Sequence, residues 1–262
     1  MISRTLPMLC IATSLLAGAA ASASAQEQTS APWQFDVIPY LWGTSVNGTV
    51  GIGSVSAPVD LPFSKIISHL EFAFMGTFVA RKGPWGGFID AVYADPAATK
   101  TRGIGLDLTA REKMTLATAG ISYQLDPIPL GDTVLTFEPY VGARYTRLRT
   151  TINGNTGFTP IDNEATPEWG VAVVGTRVGW DFSDRWTAMF VGDLGGFNPG
   201  VNFQYQLMGL LGYRFDLFQQ RDATVLVGYR YLNQLYKTGT DLDRRSLDWS
   251  LQGPALGLRI AF

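Results

Sequence analysis

After about residue 30 the chain alternates between apolar and polar positions with a period of two, broken by clusters of Gly, Pro, Asn and Asp, which is the signature of strands and turns. The C-terminus shows it most clearly. Leu256, Leu258, Ile260 and Phe262 share one face, and Gly257, Arg259 and Ala261 share the other. Over 203–215, Phe203, Tyr205, Leu207, Leu211, Tyr213 and Phe215 oppose Gln204, Gln206 and Arg214. Over 135–145, Leu135, Phe137, Val141 and Tyr145 oppose Thr136, Glu138, Tyr140 and Arg144. The stretches 172–182 and 223–231 alternate in the same way.

This rhythm predicts about ten strands, near 33–46, 71–81, 85–95, 105–125, 133–149, 168–182, 186–196, 203–215, 222–232 and 247–262. Eight or twelve are the alternatives, twelve if Val46-Asn47-Gly48-Thr49 makes an extra hairpin through its Asn-Gly turn signal. The links after even strands are short: Lys82-Gly83-Pro84, Asp126 to Asp132, Ser183-Asp184-Arg185 and Asp216 to Arg221. Those after odd strands are mostly longer: 47–70, 96–104, 150–167, 197–202 and 233–246. Short turns alternating with long loops are the pattern of a closed antiparallel transmembrane β-barrel of the outer membrane. Aromatics reinforce it. Trp85, Trp180, Trp186, Tyr213 and Phe262 lie beside the short turns, and Trp42, Tyr93, Tyr145, Phe203, Tyr231 and Trp249 lie towards the long loops. In the last strand the apolar parity switches from odd at Leu247, Trp249 and Leu251 to even at Leu256 and Leu258, which predicts a β-bulge at Gly253-Pro254.

The first 25 residues are a separate matter. Arg4, an apolar run from Leu6 to Ala21 and the small residues Ala23-Ser24-Ala25 read as a cleaved signal peptide, so that 26–262 forms the barrel. Cys10 falls in that segment, which leaves the mature chain without thiol chemistry. Charged residues are only 16% of the 262, and the net charge is -2. An acidic balance argues against nucleic-acid binding, which needs a basic face.

If apolar faces meet lipid, the inward positions carry a balanced lumen charge network: Asp36, Asp90, Glu138 and Asp193 with Arg144, Arg177, Arg230 and Arg259. A barrel of ~8–10 strands has little room beyond its own side chains, so these charges are expected to satisfy one another. The sharper alternative is a narrow polar pore. In the first long link Phe63, Ile66, Ile67 and Leu70 fall at helical spacing, which predicts a short helix near 61–70, with Asp60 as its cap. The single histidine, His69, stands beside Ser68 and Glu71, and adjacent residues do not face each other on a helix. No catalytic constellation, metal site or cofactor is therefore expected. Asp241, Asp243, Arg244 and Arg245 read as a solvated loop tip.

Several motifs add a resemblance. Gly192-Asp193-Leu194-Gly195-Gly196-Phe197, Gly228-Tyr229-Arg230-Tyr231-Leu232 and Gly253-Pro254-Ala255-Leu256-Gly257 resemble an uncharacterised family of proteobacterial outer-membrane β-barrel proteins. The segment from Leu70 to Arg81-Lys82-Gly83-Pro84-Trp85-Gly86 is similar to that family's first hairpin. The likeness covers most of the mature chain. It implies a location in the Gram-negative outer membrane, contact with lipid and lipopolysaccharide, and insertion by the barrel-insertion machinery through terminal Phe262. It carries no active site across. The expectation is a monomeric barrel with a largely filled lumen and a structural or narrow, porin-like channel role. The alternatives are an outer-membrane lipid or peptide hydrolase and a protein that binds through its surface loops.

Overall fold

A computed structural model describes residues 31–52, 54–68, 70–96, 99–103, 106–155, 160–198, 202–217, 221–240 and 244–262. The expected signal segment, Cys10, His69, Asp241 and Asp243 lie outside the described residues. The strands are β1 (Trp33–Trp42), β2 (Ser45–Ile52), β3 (Val55–Leu61), β4 (Leu70–Lys82), β5 (Trp85–Pro96), β6 (Thr99–Gly103), β7 (Leu106–Tyr123) and β8 (Ile128–Leu130). They continue with β9 (Thr133–Asn155), β10 (Pro160–Ala165), β11 (Glu168–Asp181), β12 (Trp186–Asn198), β13 (Asn202–Leu217), β14 (Arg221–Thr238) and β15 (Arg245–Ala261). One helix, α1 (Phe63–Ser68), sits between β3 and β4.

Every pairing is antiparallel, and β1 meets β15 to close the sheet into a ten-stranded barrel. The ten walls follow from register. β1 and β2 pair with β15 on one unbroken register, Trp42 opposite Ala255 and Ser45 opposite Gln252, so they form a single wall strand. β10 and β11 likewise share one register along β9. The first hairpin is less regular. Pro39 faces Gly76 on β4, but Val46 faces Leu61 on β3, so the second strand takes an eight-residue detour over 62–69. Helix α1 occupies that detour. Its first turn is closed by the Lys65 and Ile66 amides donating to the Pro62 carbonyl at 2.9 and 3.3 Å.

Several sequence expectations change. The link 47–70 is mostly strand. Asn47-Gly48 lies inside β2, and a side chain at Gly48 would run into the Asp248 carbonyl of β15. Asp60 belongs to β3 and does not cap the helix. There is no bulge at Gly253-Pro254, because the register between β14 and β15 is continuous. Leu247, Trp249 and Leu251 instead face inward, with Leu251 and Trp249 buried, so the parity of the strand never slips. A bulge lies instead at Gly196-Phe197, where both residues have positive φ and the β12–β13 register shifts.

The outer face matches a bilayer. Along β9 the outward residues Leu135, Phe137, Val141 and Tyr145 give way to Arg147 and Arg149. Ten residue steps from Leu135 to Tyr145 span ~33 Å along a strand, or about 25 Å of height at barrel tilt, which is the thickness of an outer-membrane apolar band. Above it, Arg147 and Arg149 pair outward with Glu168 and Glu164 at 3.6 and 2.9 Å. The Arg149 hydrogen bond holds the Glu164 carboxyl below its usual range. Near the short turns, Trp85 meets Tyr123 and Trp186 meets Tyr213 edge-on, both at 5.0 Å. The girdle towards the long loops includes Phe72 with Tyr93 and Tyr205 with Tyr231. Trp42 and Trp249 do not belong to it, since both are buried in the lumen. Among the described residues no helix is long and apolar enough to cross a membrane.

Candidate functional site

The barrel turns alternate side chains inward, so the lumen is built in layers along each strand. On β14 the inward residues rise from Thr224 near the short turn through Leu226, Gly228, Arg230 and Leu232 to Gln234. Three polar hubs and an apolar layer attach to this ruler.

The middle hub is Arg230. Its Nη2 donates to Asp90 Oδ2 at 3.0 Å, its Nη1 to the Tyr40 hydroxyl at 2.8 Å, and its Nε to Gln206 Oε1 at 3.0 Å. Tyr40 and Thr77 both donate to Asp90 Oδ1 at 2.8 Å. The guanidinium also lies 4.6 Å from the Trp42 ring centroid. Five wall strands are tied here by charge-assisted bonds, the strong class of hydrogen bond.

The second hub is Asp193. It accepts at Oδ2 from Arg144 Nη2 at 2.7 Å, from the Tyr140 hydroxyl at 2.8 Å and from Gln206 Nε2 at 3.2 Å. Arg144 Nε reaches Thr118 at 3.1 Å. Both charged side chains are fully buried. Gln206 therefore bridges the two hubs, taking a bond from Arg230 with its oxygen and giving one to Asp193 with its nitrogen.

The third hub, nearer the short turns, is Glu138. Arg81 donates to its Oε2 at 2.7 Å, Arg177 to its Oε1 at 3.2 Å, and Ser122 to Oε1 at 2.6 Å. Arg177 is stacked 4.0 Å from the Phe88 ring centroid. At the rim Arg259 pairs with Asp36 at 3.0 Å, and Arg214 pairs with Asp181.

Beyond Arg230, towards the long loops, the lumen is apolar. Leu116, Leu232 and Leu251 are 0% exposed, with Val92 and Trp42 packed among them. Over this layer Gln234 donates to Thr146 at 2.8 Å and to Gln204 at 2.9 Å, and accepts from Trp249 Nε1 at 3.1 Å. Towards the short turns the hubs border a cavity of about 360 Å³ that reaches from Tyr40 and Arg230 to Asp181, Thr187 and Arg259.

All eight residues read as lumen charges from the sequence stand inside the barrel. They form the pairs Asp36–Arg259, Asp90–Arg230, Glu138–Arg177 and Asp193–Arg144. Sequence reasoning missed Arg81, which shares strand parity with the inward Thr77 and was detectable from that alone. It also missed the apolar layer, because Leu116, Leu232 and Leu251 look in sequence like lipid-facing residues. His69, the one candidate for a catalytic base, lies outside the described residues. Among the described residues no three His, Cys, Asp or Glu side chains gather as a metal site would require.

No family model matches the chain. No curated protein matches it either. Among solved structures it is similar to the outer membrane protease OmpT from Escherichia coli, at 8% identity and TM-score 0.47, covering 90% of this chain and 99% of that one. It is also similar to Ail, the attachment invasion locus protein of Yersinia pestis, in complex with the heparin analogue sucrose octasulfate, at 7% identity and TM-score 0.35, covering 88% and 99%. A Pseudomonas aeruginosa FadL homologue matches at 9% identity and TM-score 0.29, covering 88% and 90%. At such identities no activity or ligand passes to this chain.

Proposed function

We propose that this chain is an outer-membrane barrel that does not conduct, with a lumen sealed by its own side chains and a structural role in the membrane. The observation that carries the reading is the continuous stack from Glu138 through Arg230 and Asp193 to Leu116, Leu232 and Leu251. At its centre Arg144, Leu116, Leu232, Leu251, Gln204 and Gln234 have less than 2% of their surface exposed. A conducting pore of this strand number would have to displace several charge-assisted bonds at once. The polar alternative, a narrow channel, would need a wet path past the leucine layer.

In this reading the short turns and Phe262 face the periplasm, and the extended hairpins β2–β3, β6–β7 and β9–β10 rise from the outer surface. The exposed pairs Arg147–Glu168 and Arg149–Glu164 then sit at the level of lipopolysaccharide headgroups. Phe262 is the contact offered to the barrel-insertion machinery, and the barrel acts as a monomer.

Osmotic swelling tests the seal. Liposomes carrying the folded protein should swell in small sugars and amino acids no faster than protein-free liposomes. Swelling that scales with the amount of folded protein would overturn the sealed-lumen reading.

A further inference from the structure

The lumen charges do not cancel evenly. Arg230, Arg144, Arg259 and Arg214 each have a carboxylate of their own. Arg81 and Arg177 share Glu138. Around the short-turn cavity five arginines therefore meet four carboxylates, an excess of one positive charge. The excess is held inside a bilayer-embedded wall, where an uncompensated ion is costly, and each of the two guanidinium side chains has less than a fifth of its surface exposed. Arg81 Nε is buried with no partner. Two independent observations, an unmatched cation and an unpartnered donor, thus meet at one cavity wall.

The rest of the cavity is greasy. Met189, Val191, Met208, Leu210 and Leu226 also line it. At about 360 Å³ it falls at the small end of ligand-pocket sizes. The leucine layer closes it on the far side, and Arg259 and Asp181 stand at its rim. An inorganic anion would satisfy the charge but leave these apolar walls wet. A neutral hydrocarbon would do the reverse.

We propose that this dead-end cavity is a binding site for an amphiphilic monoanion, a single carboxylate or phosphate head on an apolar chain, taken up from the short-turn side. The head sits against Arg81 and Arg177, and the chain lies along Met189, Met208 and Leu210. The site goes beyond the sealed-lumen reading but rests on the same leucine layer for its closed end, and its test reads binding and not conduction.

The test uses protein isolated from membranes and reconstituted in phosphatidylcholine nanodiscs, with empty nanodiscs as the background for partition into lipid. Calorimetric titration with decanoate should show one saturable site, roughly tenfold or more tighter than for decanol, as expected when a charge-assisted bond is gained. Two variants locate it. Arg177→Gln removes the excess charge. Val191→Glu places a carboxylate directly across the β11–β12 ladder from Arg177 and supplies the missing counter-charge from within. Each should weaken decanoate binding about tenfold or more and change decanol binding much less. Should Arg177→Gln fail to fold, Arg81→Gln removes the same unit of charge from the more exposed of the two side chains, and Val191→Glu, a substitution in the apolar core, is read once its heat-dependent gel shift shows it folded. Equal affinity for decanol and decanoate would overturn the proposal, and so would a decanoate affinity unmoved by Val191→Glu. Binding of inorganic phosphate as tight as that of decanoate would overturn the amphiphile assignment.

Discussion

Arg144→Ala should lower the unfolding free energy of the barrel by about 3–5 kcal/mol, the usual cost of removing one partner from a buried ion pair. Both members of the Arg144–Asp193 pair are fully buried. Truncating the arginine strands the Asp193 carboxylate with only the Tyr140 hydroxyl and the Gln206 amide as donors. It also opens a void beside Thr118. The loss comes from the uncompensated charge and not from the net value of the pair, so a second substitution should relieve it. Arg144→Met with Asp193→Leu removes both charges and keeps most of the volume, and should recover at least half of the loss. Urea unfolding of the reconstituted barrel, followed by its heat-dependent shift on gels, reads both. A single-variant loss under ~1 kcal/mol would mean that water reaches Asp193, and the sealed stack would fail at its centre.

Gly253→Val should prevent the barrel from closing. Gly253 lies on β15 where the last strand meets the first, opposite Thr44, and a Cβ there would stand 1.8 Å from the Gly43 carbonyl oxygen. Neither backbone can yield without giving up seam hydrogen bonds. The Gly43 amide donates to the Pro254 carbonyl at 2.8 Å, and lipid supplies no substitute partner. The neighbouring proline has no amide to give, so the seam is already thin there. The variant should accumulate as the unfolded, slow-migrating form on gels. A Gly253→Val chain that migrates as folded and melts with the wild type would show that the seam is not closed in this register.

The same seam explains what the sequence could and could not reveal. Strand number, turn positions and the lipid face were legible because the outward residues of a transmembrane barrel are predominantly apolar through the band. The inward face carries no such rule. Polar residues there, such as Glu138, Arg144 and Arg230, stand out against alternation, and the four pairs among the eight inward charges depend only on parity and closure. Apolar residues on the inward face break the alternation and imitate a register slip. Leu247, Trp249 and Leu251 did so, and a bulge at Gly253-Pro254 was the local repair. The actual cause is a long-range packing layer with Leu116 and Leu232, which no local pattern contains. Helix α1 was visible in the spacing of Phe63 and Ile66. That it fills a detour within one wall strand depends on two registers set by different partners. The shared carboxylate at Glu138 was hidden for a related reason, since Arg81 joins it only once β4 and β9 are brought to the same height.

Single-channel recording bears most directly on the sealed lumen. The folded protein in a planar bilayer should give no discrete current steps at moderate voltage, whereas Leu116→Gly combined with Leu251→Gly, which removes two residues of the apolar layer, should give steps in the same bilayers. Discrete steps from the wild-type barrel, comparable to those of the opened variant, would contradict the account.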